Sequence, residues 1–349
     1  MSTVAKPRDI LIPAIETQRF GSWVHASGRI WVLEKDLLGR SGLDRLYAAA
    51  SLDEIRGLLL EHHYPQKDTL HEMLQAEAAS LYEFLEEVAP NDGYRAALLL
   101  PADAHNVRVM LRESLHGEKA RSYRSLEKLV KQPSLINPET LWRALVSRER
   151  DVELPPWLQA AAERAREAYA EQYDAVSIDL SVERDFHDML RLIASKIRNE
   201  WFETYFTMVR DLTNLETLLR SRLRQCNESL YAASLLSDGL VTKDQWLSLF
   251  RGGESDIATQ LDATPYRTMA AFVPSYGERG VAAAFSRERD LLLYRHLSAG
   301  SKQLSSVERV LSYIMAREVE IRNIRIMMSA LGDTLSGAEY MVLRRDYME

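Results

Sequence analysis

Asp103-Ala104-His105-Asn106-Val107-Arg108-Val109-Met110-Leu111-Arg112-Glu113-Ser114-Leu115-His116-Gly117 has two counterparts further along the chain. Asp211-Leu212-Thr213-Asn214-Leu215-Glu216-Thr217-Leu218-Leu219-Arg220-Ser221-Arg222-Leu223 is the second copy, and Glu320-Ile321-Arg322-Asn323-Ile324-Arg325-Ile326-Met327-Met328-Ser329-Ala330-Leu331 the third. In each, an acid stands three residues before an asparagine, which is followed by an apolar residue and then by an apolar pair four and five positions on. The asparagines recur at 106, 214 and 323, at nearly equal intervals, so one unit occurs three times. A period of about 110 residues is far longer than that of stacked solenoid repeats, which favours three globular bundles over a superhelix. The repeats fall at 1–120 (with an N-terminal arm), 121–228 and 229–349.

An acid and an asparagine three apart share one helical face, a turn from each other and beside the apolar stripe. The asparagine offers two donors and an acceptor to a neighbouring loop or helix end, and the acid accepts an amide or an arginine. The plainest use is an inter-helix hydrogen-bond fixture copied by duplication. The functional alternative is that the copies line a common axis and contact a central partner. Arg112 and Arg220 follow their asparagines by six residues, but the third copy has Ser329, so a ring of three arginines is excluded.

Outward from these stretches the apolar residues keep helical spacing. Trp23, Ala26, Ile30, Leu33 and Leu37 predict a helix that Gly39 ends, and Leu70, Leu74, Leu81, Phe84, Leu85 and Val88 predict one stopped by Pro90-Asn91-Asp92-Gly93. Pro101 reads as a helix start, where its missing amide is harmless. Asp185 to Arg210 reads as one long helix delivering the chain into the second copy, and 307–331 as a helix containing the third. Ser51, Asn137, Thr242 and Ser336 open shorter helices with capping residues. The stretch 1–20, with Pro7 and Pro13, reads as an arm without helical period. No useful segment alternates with period two, which predicts an all-α fold.

The 349 residues carry a net charge of −7, so no global positive field exists to hold a nucleic-acid backbone or anionic lipid, which leaves only local basic patches for either. The single cysteine, Cys226, cannot form an intramolecular disulfide and fits a reducing compartment. No apolar run approaches the roughly 20 residues that cross a bilayer, and no signal pattern opens the chain, so it is expected to be soluble and unexported.

Phosphate-cradling glycine loops and a Gly-x-Ser-x-Gly elbow are absent, as is any Asp-Asp pair for magnesium. Glu61-His62-His63 with His71-Glu72 is the densest set of candidate metal ligands, yet His71-Glu72-Met73-Leu74-Gln75 lacks the second histidine of a zinc-protease helix. These residues are expected to be solvated helix ends. Without a catalytic motif, the remaining readings are an interaction protein, a helical-repeat adaptor for partner peptides, or a helical enzyme with an unfamiliar site.

Several stretches resemble the C subunit of the archaeal and bacterial A/V-type ATPases, whose eukaryotic counterpart is the d subunit. Ser27-Gly28-Arg29-Ile30-Trp31-Val32-Leu33-Glu34 with Leu37-Leu38 is similar to the family's opening helix, Asp103 to Arg108 to its Asp-x-His-Asn segment, and Glu318 to Ile326 to its C-terminal Glu-x-Glu-Ile-x-Asn-Ile-Arg-Ile segment. The resemblance implies three similar helical bundles in a pseudo-threefold, funnel-shaped arrangement. It further implies a monomeric, non-catalytic rotor component on the cytoplasmic side of the membrane, not itself inserted in it, seated on the proteolipid rotor ring and receiving the central-stalk subunits D and F. On this resemblance no cofactor, nucleotide or ion is bound by the chain itself.

Overall fold

The computed structural model describes residues 23–237, 239–299, 306–332 and 340–347. Along the chain run α1 (Trp23–Leu33), α2 (Gly39–Ala48), α3 (Leu52–Glu61), α4 (Leu70–Val88) and α5 (Gly93–Ser114). Then follow α6 (Tyr123–Leu126), α7 (Pro138–Trp142), α8 (Pro156–Gln172), α9 (Ala175–Ile197) and α10 (Glu200–Leu223). The last five are α11 (Glu228–Ser234), α12 (Lys243–Arg251), α13 (Glu254–Asp262), α14 (Val281–Ser298) and α15 (Val307–Gly332). No strand occurs among the described residues, and the architecture is all-α. The three helices that carry the repeated stretch, α5, α10 and α15, begin at 93, 200 and 307, so the two intervals between them are equal.

Where a cap is local, the helix starts where the sequence says. Thr69 accepts from the amide of Glu72 while the Glu72 carboxylate takes the amide of Thr69, and Thr242 and Gln245 do the same for α12. Ser51 accepts from the amide of Glu54, but the Glu54 carboxylate reaches back to Ala50 rather than to Ser51. Asn137 caps α7 through the amide of Glu139 at 2.8 Å.

Other boundaries differ from expectation. Gly39 does not end α1; the α-helix stops at Leu33, a 3₁₀ turn covers Glu34–Asp36, and Gly39, at φ +59°, opens α2. Pro101 lies inside α5 rather than at a start. Tyr94, Ala97, Leu99 and Leu100 before it are buried like Val107, Met110 and Leu111 after it, and this shared burial outweighs the proline's missing hydrogen bond. The long helix expected over 185–210 is two helices, because Arg198 takes the left-handed conformation at φ 56° and the Asn199 side chain then caps α10 through Phe202. Similarly, α8 ends at Gln172 with Tyr173 left-handed. The N-terminal arm and the cap at Ser336 lie outside the described residues.

The chain forms two compact units, one built on Asn91–Phe206 with Ala232–Ser237, the other on the described parts of Phe20–Pro90, Thr207–Tyr231 and Asp238–Glu349. In the first, α9 packs along both α5 and α8, and the rings of Trp157 and Phe186 meet edge to face at 5.2 Å. In the second, α15 packs on α1, α2, α4 and α14. Its apolar residues Val310, Ile314, Ile321 and Ile324 are buried together with Arg317, Glu320 and Asn323. Arg322 and Arg325 of the same helix are exposed, but polar residues on its buried side must pair inside, and these three do so.

Candidate functional site: the repeated acid and asparagine

In the first copy, helix α5 holds Asp103 and Asn106 with no solvent exposure. The Asn106 side chain grips one residue from both sides: its Nδ2 donates to the Lys131 carbonyl at 2.9 Å and its Oδ1 accepts from the Lys131 amide at 2.7 Å. One turn earlier, the Asp103 oxygens accept from the amides of Leu135 and Ile136, each at 3.0 Å. The pair thus fixes the backbone that leads into the Asn137 cap.

The third copy repeats the grip. Asn323 donates to the Arg345 carbonyl at 2.9 Å, accepts from the Arg345 amide at 3.0 Å, and also accepts from the Tyr47 hydroxyl at 2.9 Å. Its acid points elsewhere. Glu320 accepts from the Leu38 amide at 2.5 Å, from the hydroxyls of Tyr64 and Tyr347, and from the Arg317 guanidinium at 2.9 Å. The longer glutamate takes a backbone amide from the loop before α2, and from the segment that follows its own helix it takes the Tyr347 hydroxyl rather than an amide.

In the second copy Asp211 accepts from the Leu240 amide and from the Tyr266 hydroxyl, both at 2.8 Å, again just before a helix cap, here Thr242. Asn214 is fully buried beside it in sequence. The approach is close enough to require glycine: a Cβ on Gly239 would stand 2.1 Å from an Asp211 oxygen.

Burial dominates the electrostatics of these acids. It pushes Asp103 up to about 6 against the pull of two backbone amides, and Glu320 up to about 7 against Arg317. Asp211 is raised for the same reason. Arg317 in turn bonds Glu77 at 2.7 Å and lies 4.5 Å from the Tyr64 ring centre, so the interior charge is shared among two acids and an aromatic face.

The arginines do not join these clusters. Arg112 is half exposed and pairs with Asp179, while Arg220 pairs with Glu216 at 2.5 Å within its own helix. Charges two residues after the asparagine are swapped between copies: Arg108 meets Glu183 at 2.6 Å, whereas Glu216 meets Arg289 at 2.8 Å. Gly117 and Gln225, which differ in sequence at equivalent places, share the left-handed conformation at φ 56° and 54°. At Gln225 the amides of residues 225 and 226 close back on Arg222 and Ser221, a double-bonded helix end.

Tyr47, Tyr64, Tyr266 and Tyr347 complete the sites and were not signalled by the repeat, since single tyrosines in separate contexts carry no spacing. His63 bonds the Asp36 carboxylate at 2.9 Å, and His62 the Asp36 carbonyl at 3.2 Å. Among the described residues no group of three His, Cys, Asp or Glu side chains is placed to hold a metal ion.

Comparison with known proteins places these features in one family. The chain is 22% identical over 302 residues to the C subunit of the V-type sodium ATPase of Enterococcus hirae, covering 84% of this chain and 89% of that one. It is 24% identical over 177 residues to the C subunit of the A-type ATP synthase of Methanosphaera stadtmanae, covering 50% of this chain and 46% of that one. The profile of the ATP synthase (C/AC39) subunit family matches residues 26–337, which include all three copies of the repeated stretch. The chain therefore belongs to the ATP synthase (C/AC39) subunit family.

Proposed function

We propose that this chain is a non-catalytic central-rotor subunit of a V/A-type ATPase. It links the stalk subunits D and F to the membrane rotor ring and transmits torque for proton or sodium transport. The observation that carries the reading is the family match over 26–337, together with a V-type ATPase relative aligned over 89% of its length.

Physical features support it. Helices whose interiors are close-packed resist compression, which suits a part that carries torque. Each backbone grip by Asp103, Asn106, Asp211, Glu320 or Asn323 ties a loop to a long helix, which stiffens each repeat against shear. The equal interval between α5, α10 and α15 supports dividing the chain into three repeats near 1–120, 121–228 and 229–349. No described helix is long and apolar enough to cross a membrane, in keeping with a peripheral place; the rotor reading puts it on the cytoplasmic side.

Calorimetric titration of the purified chain with the D–F pair tests the proposal. One-to-one binding is expected, with the free chain sedimenting as a monomer. Absence of binding both to D–F and to the reconstituted ring would overturn it.

A further inference from the structure

Residues 117–136, between α5 and α7, form a strap fastened along its length. Glu113, almost fully buried, takes the Arg121 amide at 2.6 Å and its guanidinium at 2.7 and 2.9 Å. Trp142 donates to the Arg121 carbonyl at 3.0 Å, and Leu126 is fully buried. His105 lies 2.8 Å from the Leu129 carbonyl, after which Asn106 and Asp103 hold residues 131, 135 and 136.

Much of the strap's charge takes no part in the fastening. Between 117 and 131 stand Lys119, Arg121, Arg124, Lys128 and Lys131 against Glu118 and Glu127, a basic excess in a chain of net charge −7. Lys119, Arg124 and Lys128 are exposed, and their side chains have no hydrogen bond or ion pair among the described residues. Leu115 and Leu129, near the two ends, are 39% and 45% exposed. The equivalent stretch after the second copy, 225–240, has no lysine or arginine, and after the third copy Arg344 and Arg345 are paired with Asp44, Asp346 and Asp290. The fold therefore does not require Lys119, Arg124 or Lys128.

We propose that residues 115–131 are a docking surface for an anionic membrane. Flexible, separately spaced lysine and arginine stems suit a diffuse layer of headgroups, and the two leucines suit the boundary beneath it. A structured acidic protein partner would favour a clustered, bidentate set instead. The inference rests on the proposed peripheral location of the chain, but vesicles alone test it.

The full chain would be floated at low ionic strength with phosphatidylcholine vesicles, with and without about one-third phosphatidylserine. Binding is expected only to the anionic vesicles and is expected to fade as salt rises. K119Q/R124Q/K128Q should lower partitioning by about fivefold per charge, on the order of a hundredfold together. L129S should lower it further, whereas R40Q/K67Q, charges removed elsewhere, should not. Circular dichroism and thermal melting confirm that each variant is folded.

A native chain that ignores anionic vesicles, or a triple variant that binds them as well as R40Q/K67Q does, overturns the proposal. So does a triple variant that binds vesicles normally but loses a partner protein, which would assign the strap to that protein. Absent vesicle binding with intact D–F binding refutes this inference alone, and the converse refutes the rotor reading alone.

Discussion

At the scale of single residues, Asn106 and Asn323 matter because each satisfies the buried amide and carbonyl of one residue. Replacing Asn106 or Asn323 by alanine strands both groups, and a loss of about 2–4 kcal/mol is expected in urea unfolding. Gly239→Ala should be of similar size, since Asp211 cannot retreat without leaving the Leu240 amide. Glu320 gives a pH signature. Because burial raises its carboxyl to about 7, the folded protein holds that proton more tightly than the unfolded chain does. The linked stability is complete below the ordinary glutamate range and is lost as pH rises through about 7. The stability gap between the native chain and E320Q should therefore be wider near pH 5 than near pH 8, by about 1–3 kcal/mol. The spacing of acid and asparagine was legible in the sequence, but what they hold was not. Lys131 and Arg345 are gripped through backbone atoms that every residue possesses, so nothing in their side chains announces the contact.

At the scale of elements, starts were more legible than ends. Thr69 and Thr242 act on amides three residues away, and such local chemistry shows in sequence. The left-handed ends at Arg198, Tyr173 and Gln225 carry no glycine to mark them, so nothing local in the sequence announces the turn. Gln225→Gly removes the Cβ penalty at φ 54° without disturbing the Cys226 amide bonded to Ser221, and should raise the melting temperature by the equivalent of about 0.5–1 kcal/mol. Pro101 makes the opposite case. In P101A, α5 regains an interior hydrogen bond at an exposed position, and a gain of about 1–2 kcal/mol is expected in thermal unfolding, after allowing for the freer unfolded chain.

At the scale of the whole molecule, an all-helical chain with a threefold repeat could be read from apolar spacing and the three asparagines, because both are periodic. The division into two compact units could not, since it depends on contacts between residues far apart in sequence. Two units with separate cores should unfold with a calorimetric enthalpy exceeding the van't Hoff value, rather than in one all-or-none step. The Leu38 amide and the Glu320 carboxylate, 282 residues apart, belong to the same core, as do Gly39 and Tyr347, 308 apart. On the ribosome, helices α1 to α4 emerge first and must wait for α15. At about 5–20 residues per second that delay is roughly ten to fifty seconds. Meanwhile the contiguous stretch 91–206 has nearly all of its own core and can settle. The nascent chain is thus a folded middle with an unsatisfied front. The part ahead of Asn91 is what would need shelter from aggregation and proteolysis until synthesis is nearly finished.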